Sequence, residues 1–440
     1  MKVIIVGGGP AGSLSAIRLL QEAEDLGREL RVIVYEAKPF KRRGPVGCNF
    51  CAGVITARTV EKLSKLGIEL PQGVIQRRIE SFYYVTEGGE TELIKKNHGE
   101  IYSVFRGGGP RHLEHGPESS FDRHLLLRAE ELGAEIREER VSAIEQRGRD
   151  SIAVIGADES EETADLVIGA FGVNSSLAGK LKANLGYSPP QCVSVAQAEI
   201  EMDEAQIERV FGNKLFAFAL RHPTIRFLAA TPKRRYLTIT AVGKDPSLDH
   251  LIEYMRHPRV APFFGGIDPE QALNCNCHPR MPVGFAKGAA SSRFLAVGDA
   301  YASRFYKNGL GSALFSADAV ANLVMHGSPG KATAKAYRSK MVRRFYASNR
   351  CGKILFVLND ITHKSRWSSR ATLAFLEHER SKKKGKKRRL NNLMWSLFAG
   401  DRSYCRILVD ALRPGLVSGL LLWHTRSLLR GGINWLSGRR

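Results

Sequence analysis

The chain has 440 residues, enough for one or two sizeable cores, and its seven cysteines are an odd number that argues against a secreted disulfide scaffold and for a reducing, cytoplasmic compartment. Its formal charge of +22 is unevenly placed. Residues 331–440 hold 26 Lys and Arg against 5 Asp and Glu, whereas residues 1–330 hold 40 against 39, which excludes a generally basic surface and asks for an explanation of the last quarter alone.

Met1 is followed at once by the apolar run Lys2–Val6, so the expectation is that no signal peptide precedes the first strand. Gly7-Gly8-Gly9-Pro10-Ala11-Gly12 follows, then an amphipathic stretch with Leu14, Ile17 and Leu20. A second strand-like run, Arg31–Tyr35, closes on Glu36, 24 positions after Gly12. This strand–turn–helix context with a later acid is the dinucleotide fingerprint: Gly7 for the tight turn, Gly9 for close approach to a pyrophosphate, Gly12 for helix–strand packing, and Glu36 for ribose hydroxyls. Pro10 and Ala11 sit at the helix N-terminus on which the pyrophosphate rests.

Further on, the pattern predicts a helix near 57–66, strands near 81–85 and 101–106, a helix over 123–132 and a strand at 135–137. The glycine-rich stretch Val104–Arg111 reads either as a mobile loop bounded by Arg106 and Arg111 or as a passive surface turn. Strands at 152–156 and 165–170 flank an acidic turn at 158–162, and alternating strands follow at 192–200, 215–220, 225–230 and 236–242. A late strand, Phe294–Val297, ends in Gly298-Asp299-Ala300 and can offer the Asp299 carboxylate to ribityl hydroxyls. The turn Gly309-Leu310-Gly311 then opens a helix whose free N–H groups suit the electron-rich edge of a flavin, so the dinucleotide is read as FAD.

Taken in order, the fingerprint, Glu36, Phe121-Asp122-Arg123-His124-Leu125, Ala164–Ala170 and Gly298-Asp299-Ala300 resemble the flavoprotein superfamily of p-hydroxybenzoate hydroxylase and geranylgeranyl reductase, over about residues 1–330. The resemblance implies an α/β fold. It comprises a Rossmann-like FAD-binding domain of the glutathione reductase type (1–70, 100–180 and 281–330), an inserted antiparallel-sheet substrate domain (71–99 and 181–280) and a basic helical C-terminal region (331–440). Two departures bear on function. Hydroxylases of this fold carry Gly-Ala-Asp-Gly after the fourth strand, where this chain reads Gly169-Ala170-Phe171-Gly172. Isoprenoid reductases carry an aromatic-rich strand ending in Phe-Pro, where Phe227–Lys233 keeps Pro232-Lys233 but has no Trp. The chain looks closer to the reductases, which implies an FAD-dependent oxidoreductase that reduces C=C bonds of an apolar, lipid-like isoprenoid or polyene by hydride transfer from reduced flavin. The alternatives are a hydroxylase of the same fold and a flavin electron-transfer module for a partner enzyme. The electron donor, ferredoxin-like or nicotinamide, stays open.

By the same resemblance, the loop with Arg42, Arg43, Cys48 and Cys51 passes near the flavin, and the strand carrying Cys275 and Cys277 approaches it from the substrate sheet. Arg43 would hold a nearby pyrophosphate or thiol in a positive field, or be ordinary surface charge. The four cysteines are small buried hydrophobes, a thiol set exchanging electrons with the flavin, or a zinc or iron–sulfur site. Of these, Cys48, Cys51 and Cys277 are also candidates for a chemical role, and so are Tyr306 and Lys307, which lie with Tyr301 and Arg304 between Asp299 and the flavin-edge glycines.

The basic tail carries bulky apolar residues at 354–358, 393–398 and 416–423, and its longest uncharged run, Pro414–Thr425, is 12 residues, against about 20 for a membrane span. Arginines interleaved with Leu and Trp, and the run Lys382–Arg389, suit helices lying on an anionic membrane surface. The tail has no zinc finger, helix-turn-helix or RNA-binding aromatic signature, so nucleic acid is not expected.

Overall fold

The computed structural model describes the chain except Pro45, Phe50, Cys51, residues 95–100, residues 113–116, Lys307, residues 382–387 and residues 437–440. It forms two compact units: Met1–Gln76, Val104–Ser194 and Cys277–Ala347 in the first, Arg77–Ser103, Val195–Asn276 and Ser348–Arg440 in the second.

The first unit is built on a parallel sheet in the order Phe294–Ala296, Leu166–Gly169, Lys2–Val6, Arg31–Tyr35, Glu135–Arg137. Its strands are apolar almost throughout because helices cover both faces of such a sheet; Val3, Ile4, Ile5, Ile33, Val34, Val167 and Ile168 are all fully buried. The helix Pro10–Asp25 follows the first strand, and Gly309–Met325 packs against it. An antiparallel meander, Val141–Arg147, Ser151–Gly156 and Glu161–Ala164, absorbs part of the expected acidic turn. Glu161 and Glu162 are strand residues there, and Glu162 accepts from Lys2 and Arg137.

The sheet of the second unit runs Leu273–Cys277, Cys192–Glu201, Tyr236–Gly243, Ile225–Pro232, Lys214–Ala219, Ser81–Thr86, Gly89–Ile94. It is mixed rather than purely antiparallel, because Lys214–Ala219 pairs in parallel with the much earlier Ser81–Thr86. One face carries Ala196, Ala198, Ile200, Phe216, Phe218, Leu228, Ala230, Leu237, Ile239 and Ala241 into an apolar core closed by Leu251, Tyr254 and Met255 of the helix Leu248–Met255.

Residues 348–440 group with this sheet. Trp395, on the helix Arg389–Ala399, is 2% exposed and meets Phe82 edge-on at 5.0 Å, with Phe398 beside Phe82 and Tyr84. Asn391 donates to the Ile94 carbonyl at 2.8 Å and accepts from the Ile94 N–H, satisfying backbone groups of an edge strand that would otherwise invite pairing. Glu379, on the helix Arg366–Ser381, accepts from the N–H groups of Arg389, Leu390 and Asn391 and so caps the next helix from outside it. The apolar stretch 393–398 therefore faces protein, correcting the expectation that it meets lipid.

Candidate FAD site

The fingerprint turn is shaped by backbone contacts that admit no side chain. Gly7 has φ +106°, and a Cβ there would lie 2.6 Å from the Ala170 carbonyl oxygen. A Cβ on Gly12 would lie 1.8 Å from the Gly7 oxygen, so helix and strand touch through this glycine. Gly9 differs: its Cβ would meet only Asn49 Nδ2, at 3.6 Å. It is the N-cap of Pro10–Asp25, which has no side-chain cap and no acid in its first turn. The positive end of that helix thus carries no cap of its own and, among the described residues, has space beside Gly9, the cradle a pyrophosphate needs. Pro10 and Ala11 form its first turn.

Glu36 accepts from the Gly8 N–H at 2.7 Å and the Lys38 N–H at 2.8 Å, which fixes it beside the turn. Burial raises its pKa, opposed by these two hydrogen bonds. The Gly298-Asp299 turn reaches the same place from the other end of the chain: Gly298 has φ +58°, a Cβ there would be 2.8 Å from the Ala11 Cβ, and its N–H donates to Ser316. Asp299 accepts from the Ser303 hydroxyl; desolvation raises its pKa, while Ser303 and the Arg106 cation lower it. The three segments singled out in the sequence converge.

The opening of Gly309–Met325 differs from expectation in one respect. Asn308, left-handed at φ +55°, caps it, accepting from the Gly311 N–H at 2.9 Å, so that donor is already used. A Cβ on Gly311 would lie 2.5 Å from the Asn308 side-chain oxygen, so Gly311 is tightly placed, whereas Gly309 faces Asp299 at ordinary contact distance, its Cβ position 3.6 Å from Oδ1. Tyr306 is also left-handed, at φ +59°, buried and packed on Phe305 with centroids 4.2 Å apart. Non-glycine residues in this region carry backbone strain, here concentrated in the turn between Asp299 and the helix. Lys307 lies outside the described residues.

The residue that organises the surroundings is Asp122, quoted in the sequence only as part of a helix start. It is fully buried and accepts from Arg106 Nε at 2.7 Å, from Asn49 Nδ2 at 2.9 Å and from the Gly107 N–H. Its neighbour Arg123 donates to the Pro39 carbonyl. Two loops are thereby pressed together: Gly44 donates to Gly109, Gly108 donates to Gly47, and a Cβ on either Gly47 or Gly108 would lie 1.7 Å from the Arg42 oxygen. Gly107–Pro110 are buried, so this stretch is neither a mobile loop nor a surface turn. Arg43 is exposed beside it.

Phe171, standing where hydroxylases have an acid, meets Tyr187 edge-on at 5.5 Å, and Tyr187 in turn meets Phe294 edge-on at 5.9 Å and donates to the Ala300 carbonyl. The position is part of an aromatic packing cluster. Among the described residues, which leave out Cys51, no group of three His, Cys, Asp or Glu side chains could hold a metal ion, so the metal reading of the four cysteines finds no support here. Cys48 is half-buried where its Cα packs on Gly107, Cys275 and Cys277 are half-buried on one strand, alternating with exposed Asn274 and Asn276, and Cys51 lies outside the described residues. Cys192, which the sequence did not single out, feels the Asp299 charge; burial pushes its thiol up to about 11, which keeps it protonated.

In the second unit the sheet face opposite the apolar core is polar although buried. Glu199 accepts from the Thr238 hydroxyl at 2.8 and 2.9 Å, Lys233 Nζ is 3.6 Å from Glu199, and Thr240 donates to Gln197. Lys233, part of the Pro-Lys pair quoted above, is only 1% exposed.

Among curated proteins, FixC of Salmonella typhi is 29% identical over 291 residues, covering 60% of this chain and 61% of FixC, so the chain spans about three fifths of that relative. Digeranylgeranylglycerophospholipid reductase 2 of Methanothermobacter thermautotrophicus is 32% identical over 109 residues, 22% of this chain and 26% of the reductase. A solved geranylgeranyl bacteriochlorophyll reductase-like protein of Thermoplasma acidophilum superposes with a TM-score of 0.62 at 15% identity, covering 96% of this chain and 98% of the other, which shows the shared fold. Residues 1–251 match the family described as FAD binding domain, and the chain belongs to that family of FAD-dependent oxidoreductases and monooxygenases.

Proposed function

We propose that the chain reduces C=C bonds of an apolar, isoprenoid or polyene lipid at a cytoplasmic membrane surface, taking electrons from a ferredoxin-like or nicotinamide donor. The observation that carries this reading is Phe171: its ring is committed to packing on Tyr187, so the acid of the hydroxylase motif has no counterpart at this position. The short stretch shared with a digeranylgeranylglycerophospholipid reductase supports the substrate class.

Bound FAD, once reduced, supplies two electrons as a hydride. The residues proposed to hold it are those of the fingerprint. Gly9, Pro10, Ala11 and Gly12 present the helix end to the pyrophosphate, Glu36 meets the adenosine ribose, and Asp299 meets the ribityl chain. Gly309 opens the helix Gly309–Met325 facing Asp299. Asp122 keeps Asn49 beside Gly9 and holds Arg106 where its charge is felt by Asp299. The proton that completes saturation is drawn from solvent.

The test is anaerobic photoreduction of the purified yellow holoprotein, followed by addition of polyprenyl lipids and of their saturated counterparts. Reoxidation by the unsaturated lipid alone, with product two mass units heavier per bond, is the expected outcome. Rapid reduction by NADPH together with oxygen-dependent hydroxylation of an added substrate would move the chain to the hydroxylases instead.

A further inference from the structure

The helix Lys331–Lys364 turns some of its most apolar side chains away from the protein near its end. Leu355 and Phe356 are buried at 4% and 3% exposure, whereas Ile354, Val357, Leu358 and Ile361 are 49, 47, 48 and 66% exposed. These four occupy i, i+3, i+4 and i+7, one face of a helix. The helix Tyr404–Ala411 and the residue after it do the same with Val409 and Leu412, 64 and 65% exposed. The two rows begin at one contact. Cys351 Sγ is 2.6 Å from Cys405 Sγ, Gly352 lies under the Tyr404 ring, and Tyr404 N–H donates to Ser348. Ile354 and Leu358 continue along the first helix from Cys351, and Val409 and Leu412 along the second from Cys405, at helical spacings that keep each row on the side of that contact.

Exposed Arg350, Lys353 and Arg406 stand beside these rows. Residues 348–440 as a whole carry 20 Lys and Arg against 5 Asp and Glu. Soluble proteins seldom leave aliphatic clusters of this kind uncovered without a partner. A second copy would bring one strongly positive surface against another. A bilayer rich in anionic headgroups instead matches the charge and takes up the side chains between its headgroups. No helix among the described residues is long and apolar enough to cross a membrane.

We propose that Ile354, Val357, Leu358, Ile361, Val409 and Leu412 form the face by which the protein docks on an anionic membrane, inserting these side chains while the flanking cations hold headgroup phosphates. The assignment rests on the reading of the chain as acting on a membrane-borne lipid, but its test needs no substrate.

The test is sedimentation of the full-length holoprotein with vesicles of phosphatidylcholine alone or mixed with phosphatidylglycerol. Wild type is expected to pellet with the mixed vesicles, less so as salt rises because surface attraction is screened over about 8 Å at physiological ionic strength. Leu358→Asp combined with Ile361→Asp should lower partitioning about tenfold or more while flavin absorbance and oligomeric state stay unchanged. Should the double variant fold poorly, Ile361→Trp serves in its place, with a blue-shifted emission expected only on mixed vesicles. Unchanged pelleting of a folded double variant overturns the proposal, as does a wild-type dimer that these substitutions split. Lipid reduction that persists in detergent without vesicle binding would sink the docking face alone, whereas vesicle binding with no lipid able to reoxidise the flavin would sink the reductase reading alone.

Discussion

Gly9 and Gly12 belong to one fingerprint, yet alanine at each should fail differently. At Gly12 the new methyl would sit 1.8 Å from the Gly7 carbonyl oxygen, against the roughly 3.4 Å of ordinary contact, so the helix must move away from the strand. Overpacking of this kind costs about 1–3 kcal/mol, and here the obstacle is backbone, so the upper end applies. The gain in helix propensity of about 1 kcal/mol returns part of it, leaving the apoprotein about 2 kcal/mol less stable. At Gly9 the backbone is extended in ψ with φ −63°, which alanine adopts freely, and the nearest atom is Asn49 Nδ2 at an ordinary 3.6 Å. Loss of a favourable N-cap costs about 0.5 kcal/mol. The methyl would, however, project into the space assigned to the pyrophosphate. Displacing that group loses one or two charge-assisted hydrogen bonds at about 1.5–3 kcal/mol each, a fall in FAD affinity of at least about tenfold. Denaturation of both apoproteins in urea, alongside FAD titration followed by flavin fluorescence, separates the two effects. A Gly9→Ala protein that binds FAD as tightly as wild type would refute the placement of the pyrophosphate.

Asp122→Ala should cost about 3 kcal/mol, since it strips three donors, one of them the nearly buried Arg106 guanidinium, of their acceptor. Hydrogen exchange should then quicken at Gly107 and along residues 42–49 and 106–109; unchanged exchange there would show that the glycine contacts alone hold the loops. Asp299→Asn should stabilise the apoprotein near pH 7 while weakening FAD binding. Burial raises the folded-state pKa of Asp299, so its charge costs stability that appears as pH rises through that value and vanishes below about pH 4, where both states are protonated. Equal melting temperatures of apo wild type and variant at pH 7 would contradict this sign. Glu379→Ala removes the acceptor of three helix-start N–H groups at 2% exposure and should cost about 3 kcal/mol. Faster tryptic cleavage within residues 382–389 is the expected sign, and wild-type protease resistance would refute the cap.

What could be read from the sequence divides by the range of the forces involved. Gly7, Gly12 and Glu36 were legible because a strand, a tight turn and a helix fix their geometry within a few dozen residues, leaving little for the rest of the chain to decide. Asp299 was legible because the Gly298-Asp299 step ends a strand whose place beside Leu166–Gly169 is set by the same sheet. Asp122 was not legible as a hub. Its partners sit at 49, 106 and 107, and nothing in their spacing reveals that two glycine-rich loops are pressed together at carbonyl distance. The burial of Gly107–Pro110 was missed for the same reason, since glycine serves an exposed turn and a close backbone approach equally well.

The C-terminal residues show the complementary limit. Helical periodicity identifies an apolar face without identifying what covers it. The apolar stretches at 354–358 and 393–398 read alike in sequence, and both suit lipid. In the folded chain Trp395 packs on Phe82 while Ile361 is 66% exposed. Asn391 and Glu379 tie the helix bearing Trp395 to the Ile94 edge and to its preceding helix. These two polar side chains hold the stripe that becomes core, and because residues 348–440 belong to the second compact unit, removing them would remove part of that fold.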